Sequence, residues 1–529
     1  MKTKKRSLSI FMVVLLMLSV LATGCEDKKE VTLVSNLGDT YPLETDATLT
    51  YWTFLPSSFE EKNVKNFGEL PLAKELEKQT GVKVEWQHPS VGSASENFNL
   101  LLASGDLPDI IQYPWMKATG GGAKAVSDGY ILNLNEIIDA YAPDAKAALK
   151  ECKGAEKTYK TDDGYFYCFP MLHDVPGLNT GGLMLRKDWL DELGLEVPET
   201  IDEWHTVLTA FKEKKGAKAP LTLSLGAFTT GCFTGAYGIL LDYYVEDGKI
   251  KNGYMEEGFK EFIALIKKWQ KEGIFDTNFT TIDSNAIKTN MLTGNSGATF
   301  GGQGGAMGTY LNAKEGEKFD LIAAPYPVLK KGEKCNIVKQ ADENKESQGA
   351  AITSKCKNVE LAAKYLNFGY TDAGRKLYNY GIEGVSYTMD NGVAKYTDLI
   401  TNNKNGVSMA AMLNTYTRSA TYGGPFVSEY NYLYQYAQRP QQKAALEIWM
   451  DQDGESQRVP ALYFTEEEQY DLSQKLSAVE TYSQEMFYRF LSGAEPLENF
   501  DKYIAEMKRI GADDVLDAYQ SAYERYLER

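Results

Sequence analysis

The sequence predicts an α/β fold with a mostly parallel β-sheet, divided over more than one domain. Patterns typical of strands at residues 49–52, 82–86 and from Ile110 onward alternate with helical patterns at 70–80 and 98–103. Strands that alternate with helices in this way form parallel sheets with right-handed crossovers. The chain has 529 residues, which is too long for one compact core and predicts two or three domains.

The beginning of the chain predicts export. Residues 2–6 carry four cations, and an uncharged apolar stretch of 15 residues follows at 8–22, shorter than the roughly 20 residues that span a membrane. The stretch leads to Leu21-Ala22-Thr23-Gly24-Cys25, which resembles a bacterial lipobox, although Leu is usual where Ala22 stands. We predict a lipoprotein signal peptide at 1–24 and a lipid anchor on Cys25, which needs no spanning helix. The alternative is an ordinary secretory signal with an incidental cysteine.

The net charge and the aromatic content of the chain exclude some classes of binding partner and favour others. The formal net charge is −17, and removal of the four signal-peptide cations makes it −21 for residues 25–529. So acidic a surface argues against nucleic acid and against peripheral binding to anionic lipid. The chain has 34 Tyr, 22 Phe and 7 Trp but 3 His, which favours stacking on sugar rings over acid–base or metal chemistry. Most of these aromatic residues are nevertheless expected in the core.

Cysteine usage indicates neither a zinc site nor a redox motif. With Cys25 lipidated, five cysteines remain, and the sequence contains no C-x-x-C. An odd number cannot all pair within one chain. We expect buried free thiols, with a bridge between Cys152 and Cys168 as the alternative.

Several motifs resemble one protein family. Residues 101–111 read LLASGDLPDII and residues 185–190 read LRKDWL, and both are similar to signatures of family 1 extracellular solute-binding proteins. Residues 381–387 read GIEGVSY, and the tail from FLSG at 490–493 onward continues the likeness, here to the longer LipO-like branch. The motifs run from about residue 50 to the C-terminus in the family's order.

The resemblance implies a two-lobed, periplasmic-binding-protein-like (type II) clamshell with discontinuous lobes. The first lobe is expected to comprise residues 47–166 and 335–386, and the second lobe residues 167–334 and 387–529. Residues 25–46 are polar and charged at first, and are expected to form a flexible tether. The strands between the lobes would act as hinges that absorb closure.

No catalytic signature is present. The sequence lacks a G-x-S-x-G elbow, an HExxH pair and a phosphate-binding G-x-x-x-x-G-K-[ST] loop, so no enzyme activity and no cofactor are predicted. Some members of the family carry an EF-hand-like calcium loop, but residues 214–218 read KKGAK and lack the oxygen ligands, so no metal is expected there. Because carboxylates are abundant, the enzyme alternative is a surface-anchored glycoside hydrolase or lyase.

Candidate ligand contacts come from strand ends and from one glycine-rich turn. Open α/β sheets bind ligands at the carboxyl ends of their strands, and glycines at 301–305 let backbone N–H groups approach hydroxyls. The resemblance to maltose-binding proteins adds an aromatic residue in the loop after 221–225. The predicted ligand-binding residues are Trp52, Trp115, Phe228, Gly302, Gln303, Tyr387 and Trp449. The alternative is that the aromatic residues lie in separate cores and the glycines form a structural turn.

These expectations combine into one function. The chain is expected to be the monomeric, membrane-anchored, extracytoplasmic binding subunit of an ABC importer. It would capture an oligosaccharide in a cleft between lobes and deliver it to the transmembrane subunits of the permease. A peptide or another solute is the alternative cargo.

Overall fold

The computed structural model describes most of the chain. The described residues are 35–55, 64–89, 93–175, 180–335, 337–338, 349–402, 407, 409–418, 423–451 and 457–529. The predicted signal peptide at 1–24 and the predicted lipid anchor on Cys25 lie outside them. None of the helices in the described part is long and apolar enough to cross a membrane.

Short strands and many helices alternate along the chain. The strands are β1 Thr48–Trp52, β2 Lys83–Gln87, β3 Ile110–Tyr113, β4 Met171–His173, β5 Gly181–Arg186, β6 Leu221–Thr222, β7 Tyr243–Glu246, β8 Lys249–Asn252, β9 Ala298–Gly302, β10 Leu321–Ala323, β11 Gly349–Ile352, β12 Tyr387–Asp390, β13 Val393–Tyr396 and β14 Phe426–Ser428. The α-helices are α1 Pro71–Thr80, α2 Ala94–Ser104, α3 Gly121–Ser127, α4 Asn135–Tyr141, α5 Pro143–Glu151, α6 Ala155–Tyr159, α7 Lys187–Leu193, α8 Ile201–Lys215, α9 Glu257–Glu272, α10 Ser284–Thr293, α11 Gly308–Ala313, α12 Val359–Asn367, α13 Asp372–Tyr380, α14 Asp398–Thr401, α15 Met409–Tyr416, α16 Tyr430–Tyr436, α17 Pro440–Met450, α18 Glu466–Ser492, α19 Phe500–Arg509 and α20 Ala512–Glu528.

The first lobe is built on a sheet of order β11-β3-β1-β2. β1 runs parallel to both β2 and β3, as the strand and helix patterns predict. β11 pairs with β3 in the antiparallel direction, so the sheet is mixed. All four residues of β3 are buried, which is expected when helices cover both faces of a sheet.

The second lobe is built on a sheet of order β10-β5-β9-β6. β5 is antiparallel to both β9 and β10, and β6 is parallel to β9. Helices α8, α9 and α18 bury large aromatic side chains against this sheet, among them Trp204, Trp269 and Phe487. This core extends to the C-terminal helices α19 and α20 through Phe500 and Val515.

The segment predicted as a flexible tether is docked from Leu37 onward. The Lys364 ammonium is buried and donates to the Leu37 carbonyl at 2.8 Å and to Asp39 Oδ1 at 2.9 Å. Tyr41 donates to the Lys364 carbonyl at 2.5 Å and packs edge-on against Phe368. The tether prediction is therefore wrong for residues 37–46, because this polar segment supplies the hydrogen-bond acceptors and the counter-charge for a buried lysine of the first lobe.

The boundary predicted at residue 387 also differs from the observed packing. Helix α15 contacts α1 and α13 of the first lobe, and Tyr387 of β12 packs against Tyr380 of α13. Helix α17 returns to the second lobe, where it contacts β5 and β10. Near the C-terminus, Arg525 and Arg529 of the α20 end bind Asp162 of the first lobe at 3.0 and 2.6 Å.

The five cysteines in the described part of the chain are free. Cys152, Cys168, Cys232 and Cys335 are buried, and Cys356 is half-buried, so the alternative bridge between Cys152 and Cys168 is not formed. Burial raises the pKa of the Cys152 thiol to about 11, which keeps it protonated and weakly reactive at neutral pH.

Candidate ligand-binding site

The structure brings the two predicted tryptophans of the first lobe into one cluster. β1 and β3 are adjacent and parallel, so their carboxyl ends meet at one edge of the sheet. Trp52 contacts Phe98 and Tyr113 with ring centroids 6.1 and 6.3 Å apart. Trp115 contacts the same two rings at 5.4 and 6.2 Å, and Phe98 and Tyr113 stack on each other at 3.6 Å.

This cluster is an interior feature in the structure. Trp52 is 5% exposed and Trp115 is 1% exposed. The Trp115 indole N–H donates to the Gly349 carbonyl at 3.1 Å, so its polar atom is satisfied by β11. In this conformation both tryptophans occupy the core position given above as the alternative, because Phe98 of α2 and Tyr113 cover them. Ligand contact by these residues stays a prediction.

Phe228 occupies the second-lobe core. β6 ends after two residues, and a 3-10 turn at Leu225–Thr230 directs Phe228 inward. Its ring lies 5.0 Å from Phe262 and 6.0 Å from Phe279, and it is 0% exposed. Phe228 therefore packs within the core in this conformation, and its ligand contact stays a prediction.

The glycine-rich turn serves packing between elements. After Gly302, residues Gln303–Met307 form one π-helical turn. The Gln303 N–H donates to the Thr180 carbonyl, its own carbonyl accepts from Gln442 of α17, and it is 2% exposed. A Cβ added to Gly304 would lie 2.0 Å from the Tyr436 ring, so the glycine permits close approach of α16. Gly302 itself is half-buried, and its ligand contact stays a prediction.

The remaining predicted residues are also buried. Trp449 is 0% exposed and donates its indole N–H to the Leu183 carbonyl at 3.3 Å. An added Cβ at Gly182 would meet its ring at 2.4 Å. Tyr387 is 4% exposed and belongs to the cluster around Tyr380 and Leu413. Both side chains therefore fill cores in this conformation, and ligand contact by them stays a prediction.

The structure exposes an aromatic pair that the sequence analysis missed. Tyr434 is 38% exposed, and its ring centroid lies 6.4 Å from that of half-buried Tyr430. The Lys443 ammonium lies 4.6 Å from the Tyr434 centroid. Helix α16 reads YNYLYQY. Because residues four apart share a helix face, Tyr430 and Tyr434 lie on one face and Tyr432 and Tyr436 on another. This four-residue spacing is the sequence pattern from which the pair could have been predicted.

This tyrosine pair, Tyr430 with Tyr434, lies where the chain passes between lobes. β4 and β14 run in parallel, with Ser428 opposite His173. The backbone N–H of Tyr430 donates to Asp174 Oδ1 at 2.8 Å, immediately after β4. From β4 the chain continues to β5 of the second lobe, and from α16 it continues to α17 on the same lobe.

The described residues contain no group of three or more His, Cys, Asp or Glu side chains that could hold a metal ion. The segment where a calcium loop was considered is the end of α8, which closes at Gly216 with φ 70°. That conformation ends a helix through an αL cap and needs no ligand.

Comparison with known sequences identifies relatives. The sequence profile described as bacterial extracellular solute-binding protein matches residues 67–376. The fructooligosaccharide ABC transporter substrate-binding protein FusA of Streptococcus pneumoniae is 27% identical over 381 residues, 66% of this chain and 65% of FusA. Lipoprotein LipO of Bacillus subtilis is 25% identical over 349 residues, 63% of this chain and 67% of LipO. The alignment thus spans slightly less than two thirds of FusA.

Solved structures share the fold over nearly the whole chain. The alginate-binding protein AlgQ2 has 26% identity and a TM-score of 0.69, covering 91% of this chain and 99% of AlgQ2. S. pneumoniae FusA in complex with kestose has 22% identity and a TM-score of 0.70, covering 91% of this chain and 100% of FusA. These neighbours are two-lobed solute-binding proteins, so the predicted two-lobed α/β fold is confirmed. With a profile match over more than half of its length, this chain belongs to the family of bacterial extracellular solute-binding proteins.

Proposed function

We propose that this protein is the extracytoplasmic substrate-binding subunit of an ABC importer. It acts as a monomer that captures an oligosaccharide between its two lobes and delivers it, unchanged, to the transmembrane subunits of the permease. Carbohydrate is the common theme of the relatives' names, which include alginate for AlgQ2 and polygalacturonan and rhamnogalacturonan for YtcQ of B. subtilis. The observation in this chain that carries the proposal is the tyrosine pair at the junction of the lobes, in which Tyr434 is exposed and Tyr430 half-buried.

The geometry suits binding more directly than catalysis. A sugar ring offers an apolar C–H face and a rim of hydroxyls, so its site needs an aromatic surface with fixed polar groups beside it. The Tyr434 ring supplies the first, and Asp174, held by the Tyr430 N–H, supplies the second.

Oligosaccharide binding should stabilise the protein by mass action. At a hundredfold excess over the dissociation constant, a ligand that binds only the folded state adds about 2.7 kcal/mol to the free energy of unfolding. A thermal-shift screen with oligosaccharides and with short peptides measures this effect. We expect at least one oligosaccharide to raise Tm, whereas a rise with peptides alone would assign the cargo to the other class.

The anchor is proposed from Cys25. Its thioether-linked lipid would hold the protein at the outer face of the membrane, and residues 25–36 separate this cysteine from the docked segment that begins at Leu37. Replacing Cys25 with Ala should move the protein from the membrane fraction to the soluble fraction on cell fractionation. Retention of the Cys25→Ala variant in the membrane fraction would contradict the lipoprotein assignment.

A further inference from the structure

We infer that the oligosaccharide bound at the tyrosine pair is a neutral one and that Tyr434 is its stacking surface. The inference rests on the proposed function and adds the chemical class of the sugar. It comes from the charges that surround Tyr430 and Tyr434 at the end of the crossover strands.

Tyr434 has the geometry of a stacking platform. It remains 38% exposed although Tyr432, on the same short helix, is buried in the cluster around Tyr380. The Lys443 ammonium lies over the Tyr434 ring at 4.6 Å from its centroid. A cation against an aromatic ring holds it by electrostatic attraction, so Lys443 fixes the ring.

Carboxylates outnumber cations next to the pair. Asp174 accepts from the Tyr430 N–H at 2.8 Å, and Glu429 accepts from the Tyr380 hydroxyl at 2.5 Å. Glu447 lies one turn beyond Lys443 on α17 and therefore shares its face. Among the described side chains that we place beside the pair, these three carboxylates outnumber two cations, Lys443 and Arg375, the second of which acts on Asp174.

One of these carboxylates, Glu447, acts on the Tyr430 hydroxyl. Burial and, next, the negative charge of Glu447 raise the pKa of Tyr430. Desolvation raises the pKa of Asp174, while backbone hydrogen bonds, that from the Tyr430 N–H first among them, and the positive charge of Arg375 lower it. With three carboxylates and two cations, the charges beside the pair have a net excess of one negative charge, which disfavours a further anion.

The charges beside the tyrosine pair favour a neutral sugar over an acidic one. Hydroxyls of a neutral sugar donate to carboxylates in charge-assisted hydrogen bonds, which are among the stronger ones in proteins. The carboxylate of a uronic acid cannot donate a hydrogen bond. Its negative charge is repelled by the protein carboxylates, and because these are partly buried, solvent and salt screen the repulsion poorly. A neutral oligosaccharide therefore fits the rim, and a polyuronate does not.

The first experiment compares neutral and acidic sugars of equal length. Thermal shift at low salt uses tetrasaccharides of fructose, galactose, mannose, glucose and xylose alongside tetragalacturonate and tetramannuronate. We expect a rise in Tm with at least one neutral sugar and none with the uronates. An equal or larger rise with a uronate would overturn the inference and leave the proposed function intact. No rise with any sugar would contradict both.

The second experiment tests the platform. For the neutral sugar that binds, Tyr434→Ala should raise the dissociation constant about tenfold, which is the scale of one lost aromatic contact. Tyr434→Trp should preserve binding. Tyr470 is 68% exposed on α18, so Tyr470→Ala is the matched control and should bind like the wild type. Because Tyr434 is exposed, its removal should leave the unfolding temperature of the free protein unchanged. Equal affinities for the two alanine variants would contradict the platform.

Discussion

Replacing Arg186 with Ala is expected to lower the free energy of unfolding by about 3–5 kcal/mol. Arg186 and Asp188 form a buried two-point ion pair, with Nε to Oδ1 at 2.8 Å and Nη2 to Oδ2 at 2.6 Å. The guanidinium lies 4.4 Å from the ring centroids of Trp189 and Phe319. Its removal leaves the Asp188 charge buried without its counter-charge, and urea unfolding measures the loss.

Two controls separate this effect from a general loss of charge. Lys187 pairs with Asp191 on the exposed side of α7, so Lys187→Ala should change the free energy of unfolding by less than about 0.5 kcal/mol. Replacing both Arg186 and Asp188 with apolar residues should recover part of the loss, because no buried charge then remains. Equal effects for Arg186→Ala and Lys187→Ala would contradict this account.

Replacing Trp115 with Ala is expected to cost about 3–5 kcal/mol of stability, as for other large aromatic residues in cores. The side chain is 1% exposed, touches Phe98 and Tyr113, and donates to the Gly349 carbonyl. Its loss would therefore open a cavity and leave that carbonyl without its partner. Equilibrium unfolding in urea gives the free energy.

The control for Trp115 is again the exposed aromatic side chain of Tyr470. Tyr470→Ala should change the free energy of unfolding by no more than about 0.5 kcal/mol. A Trp115→Ala variant with wild-type stability and lost sugar binding would give Trp115 a direct ligand contact instead of a core position.

Local sequence patterns predicted much of the fold. The helical pattern at 70–80 became α1 at Pro71–Thr80, and the strand pattern at 82–86 became β2 at Lys83–Gln87. The motif at 185–190 predicted the family, and the structure adds that it holds the buried Arg186–Asp188 pair. Periodicity predicts such elements because each buries one face against a neighbour.

Long-range packing decided what the sequence did not predict. Position at the carboxyl end of a strand located Trp52 at the sheet edge, but its exposure depended on Phe98 and Tyr113 covering it. The docking of residues 37–46 depended on Lys364, more than 300 residues away in sequence. The tyrosine pair was missed because four tyrosines in seven residues look like core until the neighbouring elements are known.

Calorimetric titration with the oligosaccharide that raises Tm most, followed by sizing of the recovered sugar, tests the central claim most directly. The account predicts saturable binding of one oligosaccharide per protein chain, with the chain length of the sugar unchanged. Heat that does not saturate with any oligosaccharide, or recovery of shortened products, would contradict it.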